Sequence, residues 1–239
     1  MKADDRLITA LDFPTAAEAK AVVEELGDAV SFYKVGMELF YSAGPEMITY
    51  LKERGKKVFL DLKLQDIPNT VAHSLAVLTR LGADIMNVHA VGGSKMMAEG
   101  MKAVKEAAAE LGRPAPKLIA VTVLTSMDEA QWKPLNYARP IGEEVLDLAA
   151  LTKESGLDGV VASPREAAGI RERCGKDFLI VTPGVRPAWA ASNDQSRIAT
   201  PAAAIGNGST HLVVGRPITR ADNKQEAVRK ILEEMEGAF

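Results

Sequence analysis

The chain has 239 residues, 47% hydrophobic, 26% charged and 5% aromatic, the proportions of an ordinary soluble globular protein. With 29 Lys and Arg against 32 Asp and Glu the net charge is −3, which speaks against a nucleic-acid binder held by bulk charge. The single cysteine, Cys174, excludes an internal disulfide and a multi-thiolate metal site, and no apolar run approaches the length of a membrane span.

From the N-terminus, MKADDRLITALDF carries acids and no long apolar stretch, unlike a signal peptide, so the expectation is a cytoplasmic protein in a reducing compartment. A first β-like run covers Leu7–Leu11. Thr15-Ala-Ala-Glu18 reads as a capping box, followed by a helix face of Ala19, Val22, Val23 and Leu26. The second run is Ser31–Val35; Lys52 to Lys57 reads as a solvated turn before the third, Lys57–Leu62. Ile85–Val88 is the fourth run, and Met97, Met101, Val104, Ala108 and Leu111 form an apolar helix face behind it. Lys117–Leu124 is the fifth, Gly142 to Glu154 a helix, Gly159–Ala162 the sixth run and Pro164 to Arg173 another helix. Phe178–Thr182 is the seventh run. Pro187–Ser196 is a polar stretch read as a mobile loop over the mouth of the fold. His211–Val214 is the eighth run, and Asn223–Met235 a closing helix with Ala227, Ile231 and Leu232 on one side.

Several of these runs are almost continuously apolar, as in parallel strands covered on both faces. Eight strand–helix alternations in this length match an α/β fold of the (β/α)8 barrel type, one domain over residues 1–239. A doubly wound open sheet is the rival. It normally carries a Gly-rich dinucleotide turn after the first strand, where Asp12-Phe-Pro stands instead.

The strongest chemical signal is Val58-Phe-Leu-Asp61-Leu-Lys63-Leu-Gln65-Asp66-Ile67-Pro68-Asn69-Thr70. On a strand Asp61 and Lys63 share a side, because the side-chain period is two, while Leu60, Leu62 and Leu64 take the other. A charged pair in an apolar strand is costly unless partnered, and this one lies at the C-terminal end of strand three, where barrel active sites sit. Other strand ends add polar groups on the same side: Asp12, Lys34, and Thr125 with Ser126, the last two also suited to capping the next helix. Loops after strands seven and eight commonly hold phosphate in such barrels. Arg186 in Thr182-Pro-Gly-Val-Arg186, and Gly215 and Arg216 in Val214-Gly215-Arg216-Pro-Ile, lie there. Among the three histidines no metal-ligand spacing occurs; His89, at the end of strand four, is expected to be a hydrogen-bonded structural residue. Cys174 is read as an inert thiol, and Met97 and Met101 as core.

Taken together, Leu11-Asp12-Phe-Pro, Tyr33-Lys34-Val-Gly36, the Asp61–Thr70 segment, Val123-Leu-Thr125-Ser126, Pro183-Gly-Val-Arg186, Asn193-Asp-Gln195-Ser-Arg197 and Val214-Gly215-Arg216 resemble bacterial-type orotidine 5′-monophosphate decarboxylase along the whole chain. Gln65 departs from the histidine often found there. The resemblance implies a carboxy-lyase that makes UMP in pyrimidine biosynthesis, with Lys63 as proton donor. Asp61 and Asp66 would flank it, and Lys34 would complete the alternating charges. It implies ribose contacts from Asp12, Lys34 and Thr70, pyrimidine contacts from Thr125 and Ser126, and a phosphate end of Arg186, Gln195, Gly215 and Arg216. It implies no metal or organic cofactor, and a homodimer in which Asp66, Ile67 and Thr70 reach the neighbouring site, with no nucleic-acid or membrane partner. Magnesium-dependent lyases of keto-sugar phosphates share D-x-K-x-x-D but typically carry an acid where Lys34 stands; a catalytically dead phosphate-binding barrel is a further alternative.

Overall fold

Alternating inward and outward apolar side chains on eight short strands dictate two cores, and the computed structural model, which describes residues 4–190 and 199–237, contains both. The strands are β1 (Leu7–Ala10), β2 (Phe32–Gly36), β3 (Lys57–Leu64), β4 (Ile85–His89), β5 (Lys117–Val121), β6 (Gly159–Val161), β7 (Leu179–Thr182) and β8 (His211–Val214). All pair in parallel, in sequence order, and β8 closes on β1. Ile8, Phe32, Phe59, Ile85, Ile119 and Val213 point inward and fill the barrel. Leu7, Leu60, Met86, Leu118, Leu212 and Val214 point outward, under the helices.

The covering helices are α1 (Ala16–Leu26), α2 (Met37–Ala43), α3 (Glu46–Glu53), α4 (Pro68–Leu81), α5 (Gly93–Glu110), α6 (Glu129–Trp132), α7 (Ile141–Glu154), α8 (Ala167–Cys174), α9 (Pro201–Gly206), α10 (Arg216–Thr219) and α11 (Lys224–Glu236). Thr15 caps α1 by accepting from the Glu18 N–H, but the Glu18 carboxylate takes the Thr15 hydroxyl, so the box closes through side chains. Pro68 opens α4, where its missing N–H is no loss. Met97, Met101, Val104 and Ala108 are buried on α5, whereas Leu111 lies past the last turn and is exposed. Asn223 caps α11, which buries Ala227, Ile231 and Leu232.

Three departures have physical causes. The fifth strand stops at Val121, not Leu124, because β6 ends at Val161: the Thr122 N–H and hydroxyl both turn onto the Val161 carbonyl, at 3.3 and 3.0 Å. The stretch before β3 is not simply solvated. Lys56 is buried, its ammonium donating to the carbonyls of Gly27 and Val30 at 2.6 and 3.0 Å behind α1, and Lys52 and Lys57 pair with Asp84 and Asp5. The third strand runs on to Leu64 through a bulge. Of the expected loop at 187–196, residues 191–196 lie outside the described residues. Its two ends are tied side by side by the Val185–Ala199 bridge and a 3.0 Å bond from the Arg186 N–H to the Ala199 carbonyl.

Candidate active site

At the C-terminal ends of the strands a cleft of about 280 Å³ is lined by Asp12, Lys34, Asp61, Lys63, Thr125, Arg186, Gly215 and Arg216, with Phe59, Val161 and Val213 as its apolar floor. Its polar wall is a chain of alternating charges. The Lys34 ammonium donates to Asp12 Oδ1 at 2.8 Å and stands 3.4 Å from Asp61 Oδ2. The Lys63 ammonium donates to the other Asp61 oxygen at 2.7 Å. The side chains of Lys34 and Asp61 are each only 11% exposed, against 57% for Asp12 and 25% for Lys63, so the middle of the chain is buried and its two ends are more open.

Burial alone would neutralise these groups, and their neighbours reverse it. Burial pushes the Asp61 carboxyl up, but the Lys34 and Lys63 charges and the bonds from Lys63 and Asn87 hold it below the usual carboxylate value. Burial likewise pulls Lys34 down, and Asp61 and Asp12 carry it above the ordinary lysine value. Both stay ionised, and the cleft is preorganised for charge.

Strand alternation accounts for the Asp61–Lys63 pairing only in part. Between the pairs Leu60–Met86 and Leu64–Val88, four steps on β3 pass two on β4. Lys63 absorbs the surplus in the left-handed region, at φ 54°, a conformation that costs a non-glycine residue on the order of 1–3 kcal/mol. Its N–H, lifted out of the ladder, donates instead to Asn87 Oδ1 at 2.8 Å. Leu60 and Leu62 still face the outer core, with Leu64 packed against it.

Of the residues expected at a phosphate end, Arg186 is buried, and Arg186, Gly215 and Arg216 all line the cleft. Thr125 lines the cleft and Ser126 is exposed beside it. Neither caps the following helix; Asp128 does, in a full capping box with Gln131. Gln195 lies outside the described residues. Asp66, Ile67 and Thr70 do not line the cleft of their own chain. The Asp66 carboxylate accepts only its neighbour's N–H (Ile67, 2.7 Å), and Asp66 forms no ion pair among the described residues. Ile67 is 66% exposed. The His89 ring makes no hydrogen bond among the described residues, contrary to expectation; burial and the Lys63 charge lower its pKa.

Two residues escaped the sequence reading. A Cβ at Gly36 would stand 2.9 Å from the Lys34 ammonium and 3.3 Å from Asp12 Oδ1, so this glycine leaves the space in which that pair forms. Asn87, 1% exposed, contacts both Asp61 and Lys63. A polar amide at the centre of Ile85-Met86-Asn87-Val88 was the available signal.

The family model described as orotidine 5′-phosphate decarboxylase / HUMPS family matches residues 5–231. A relative from Moorella thermoacetica, named orotidine 5′-phosphate decarboxylase, is 51% identical over 237 residues, covering 99% of this chain and 94% of its own. One of the same name from Carboxydothermus hydrogenoformans is 50% identical over 235 residues, covering 98% of each. The crystal structure of orotidine 5′-phosphate decarboxylase from Lactobacillus acidophilus superposes with a TM-score of 0.86 at 42% identity, covering 97% of this chain and 99% of the other.

Proposed function

The chain belongs to the orotidine 5′-phosphate decarboxylase / HUMPS family, and from that premise we propose that it decarboxylates orotidine 5′-monophosphate to UMP, with Lys63 as proton donor. The bond from the pyrimidine ring to its carboxylate breaks, carbon dioxide leaves, and the electron pair stays on the ring carbon. An ammonium fixed beside that carbon stabilises the developing charge and then delivers a proton to it. The observation that carries this reading is the Asp12–Lys34–Asp61–Lys63 chain, which holds Lys63 at 2.7 Å from a buried carboxylate in the cleft. Asp12 and Lys34 serve the ribose, Thr125 and Ser126 the pyrimidine, and Arg186, Gln195, Gly215 and Arg216 the phosphate. Contacts to the phosphate, remote from the reacting carbon, supply binding energy that aligns it with Lys63.

The magnesium-dependent lyases are disfavoured by one contact. The Lys34 ammonium sits between Asp12 and Asp61, engaging the carboxylates that a divalent ion at this place would need. The direct test follows loss of orotidylate absorbance with and without a chelator. Turnover unaffected by chelator supports the reading; turnover abolished by it moves the chain to the metal-dependent group. In the same assay Lys63→Ala is expected to abolish turnover while retaining nucleotide binding, and near-normal turnover would remove Lys63 from its role.

The exposure of Ile67 and the absence of an ion-pair partner for Asp66 among the described residues support a site completed by a second subunit, with Asp66, Ile67 and Thr70 reaching across. In a mixed dimer of Lys63→Ala and Asp66→Asn subunits, one of the two composite sites has every residue intact. Mixing the two inactive homodimers under subunit exchange is therefore expected to restore activity. A verified mixed dimer without activity rejects the shared site and leaves Lys63 untouched.

A further inference from the structure

Resting on that reading, we propose that Asn87 is a positioning residue of the reaction: one buried amide fixes the Asp61 carboxylate and the backbone of Lys63 at once. Asn87 Nδ2 donates to Asp61 Oδ1 at 2.7 Å, the same oxygen that takes the Lys63 ammonium. Its Oδ1 accepts the Lys63 N–H at 2.8 Å. The orientation of the amide is forced by its partners, because a carboxylate requires a donor and an N–H an acceptor.

The topology explains why β4 supplies this group. Four steps of β3 pass two of β4 here, and Asn87 is the residue opposite the surplus. No backbone carbonyl of β4 is in register for the Lys63 N–H, and an orphaned N–H there would be costly. The side-chain carbonyl of Asn87 replaces the missing ladder partner and holds Lys63 in its left-handed conformation. That conformation aims the lysine side chain back at Asp61. The amide N–H₂ meanwhile prevents Asp61 from rotating toward Lys34, 3.4 Å away on its other oxygen. Asn87 has no place in the cleft lining, so it acts through Asp61 and Lys63.

Two substitutions separate positioning from bulk stability. Asn87→Ala removes both bonds. kcat is expected to fall about 100-fold, the scale for misplacing a reacting group by an ångström, while KM changes less than about threefold because the phosphate and pyrimidine contacts are untouched. Asn87→Asp keeps the shape and the acceptor for Lys63 but sets a second carboxylate against Asp61. Adjacent carboxylates raise one pKa of the pair, so that carboxyl is charged and repulsive at pH 8 and protonated, a donor again, toward pH 5. The variant is expected to be weak at pH 8 and to regain about tenfold in kcat relative to wild type on acidification. A folding defect alone does not produce this profile, and it decides the matter even where Asn87→Ala fails to fold.

Wild-type kcat in a folded Asn87→Ala protein, a change confined to KM, or an Asn87→Asp protein with the wild-type pH profile overturns the proposal. If the wild type itself does not turn over orotidylate, the functional reading has failed. Positioning is then read from the rate at which acetic anhydride acylates Lys63, by peptide mass. Faster modification in Asn87→Ala than in wild type supports it, and equal rates reject it.

Discussion

Gly36→Ala tests whether the cleft depends on the placement of Lys34 rather than on its charge alone. The backbone of Gly36, at φ −91° and ψ −176°, is accessible to alanine, so the substitution carries no conformational penalty. Gly-to-Ala at a compatible position stabilises by about 0.4–1 kcal/mol through the unfolded chain. The added methyl, however, would lie 2.9 Å from the Lys34 ammonium and 3.3 Å from Asp12 Oδ1. Ordinary contact lies at about 3.5–4.0 Å, so the ammonium must retreat by roughly 0.6–1 Å. It has little freedom, held at 2.8 Å by Asp12 and 3.4 Å from Asp61. A misplacement of that size costs about 100-fold in rate, equivalent to about 2.7 kcal/mol of transition-state stabilisation. The strain on the ion pair and the gain in chain entropy oppose each other, which leaves a net stability change within about 1 kcal/mol, or about 2–4 °C in Tm. The expected signature is a kcat/KM for orotidylate about 100-fold down, with a melting temperature within about 4 °C of wild type. A folded variant with kcat/KM within about threefold of wild type would refute the argument that this space positions Lys34. A variant melting 10 °C or more lower, on the scale set by that conversion, would show that Gly36 serves the fold instead.

Arg216→Ala removes a fork of donors from the proposed phosphate end of the cleft, and kcat/KM is expected to drop by about 100-fold or more for the nucleotide and far less for the phosphate-free nucleoside; equal losses would show that Arg216 does not grip phosphate. Gly159→Ala drives a methyl to 2.4 Å from both Cβ and the carbonyl oxygen of Leu179, where β6 and β7 meet, and is expected to destabilise by about 3 kcal/mol and lower Tm by roughly 6–12 °C; an unchanged melt would refute the clash. Burial, aided by Lys57, lowers the pKa of His211 in the folded protein, so the unfolded chain binds more protons once the pH drops below about 6.5, and stability is full above that value and falls below it. His211→Gln is expected to flatten the decline of the urea midpoint between pH 7.5 and 5, His89 remaining in both proteins; identical declines would clear His211 of that role.

The strand ends and the cleft were legible in the sequence because parallel strands are written as apolar runs, and a charge inside such a run stands out. Asp61, Lys63 and Lys34 were visible for that reason, and the structure brings all three together with Asp12. What was not legible depends on register. The bulge at Lys63 exists only relative to β4, and no pattern within Lys57–Leu64 announces it. The end of β5 is set by the shortness of β6, a property of another segment. Lys56 sits in a charged run that reads as solvent-facing, yet its ammonium is drawn under α1 by carbonyls 26 and 29 residues away. Leu111 kept the helical spacing of its face, but α5 had already ended. Asp66 and Thr70 belong to neither failure: their side chains leave the cleft of their own chain, and a single chain provides no contact by which to place them.

The departures from local rules are themselves an argument about where function sits. The barrel floor obeys every expectation of a β core, with Ile8, Phe32, Phe59, Ile85 and Ile119 interdigitating. At the C-terminal end four exceptions fall within one group of contacts: a buried lysine at position 34, a buried carboxylate at 61, a buried amide at 87 and a left-handed lysine at 63. Each alone is unfavourable, by desolvation or by backbone strain. Together they satisfy one another, since Asp61 answers Lys34, Lys63 and Asn87, and Asn87 answers the displaced N–H of Lys63. A fold selected only for stability has a cheaper solution in apolar side chains of similar volume. That this end of the barrel retains mutually dependent charges, while the floor does not, marks it as the candidate site from physical cost alone, independently of the family to which the chain belongs.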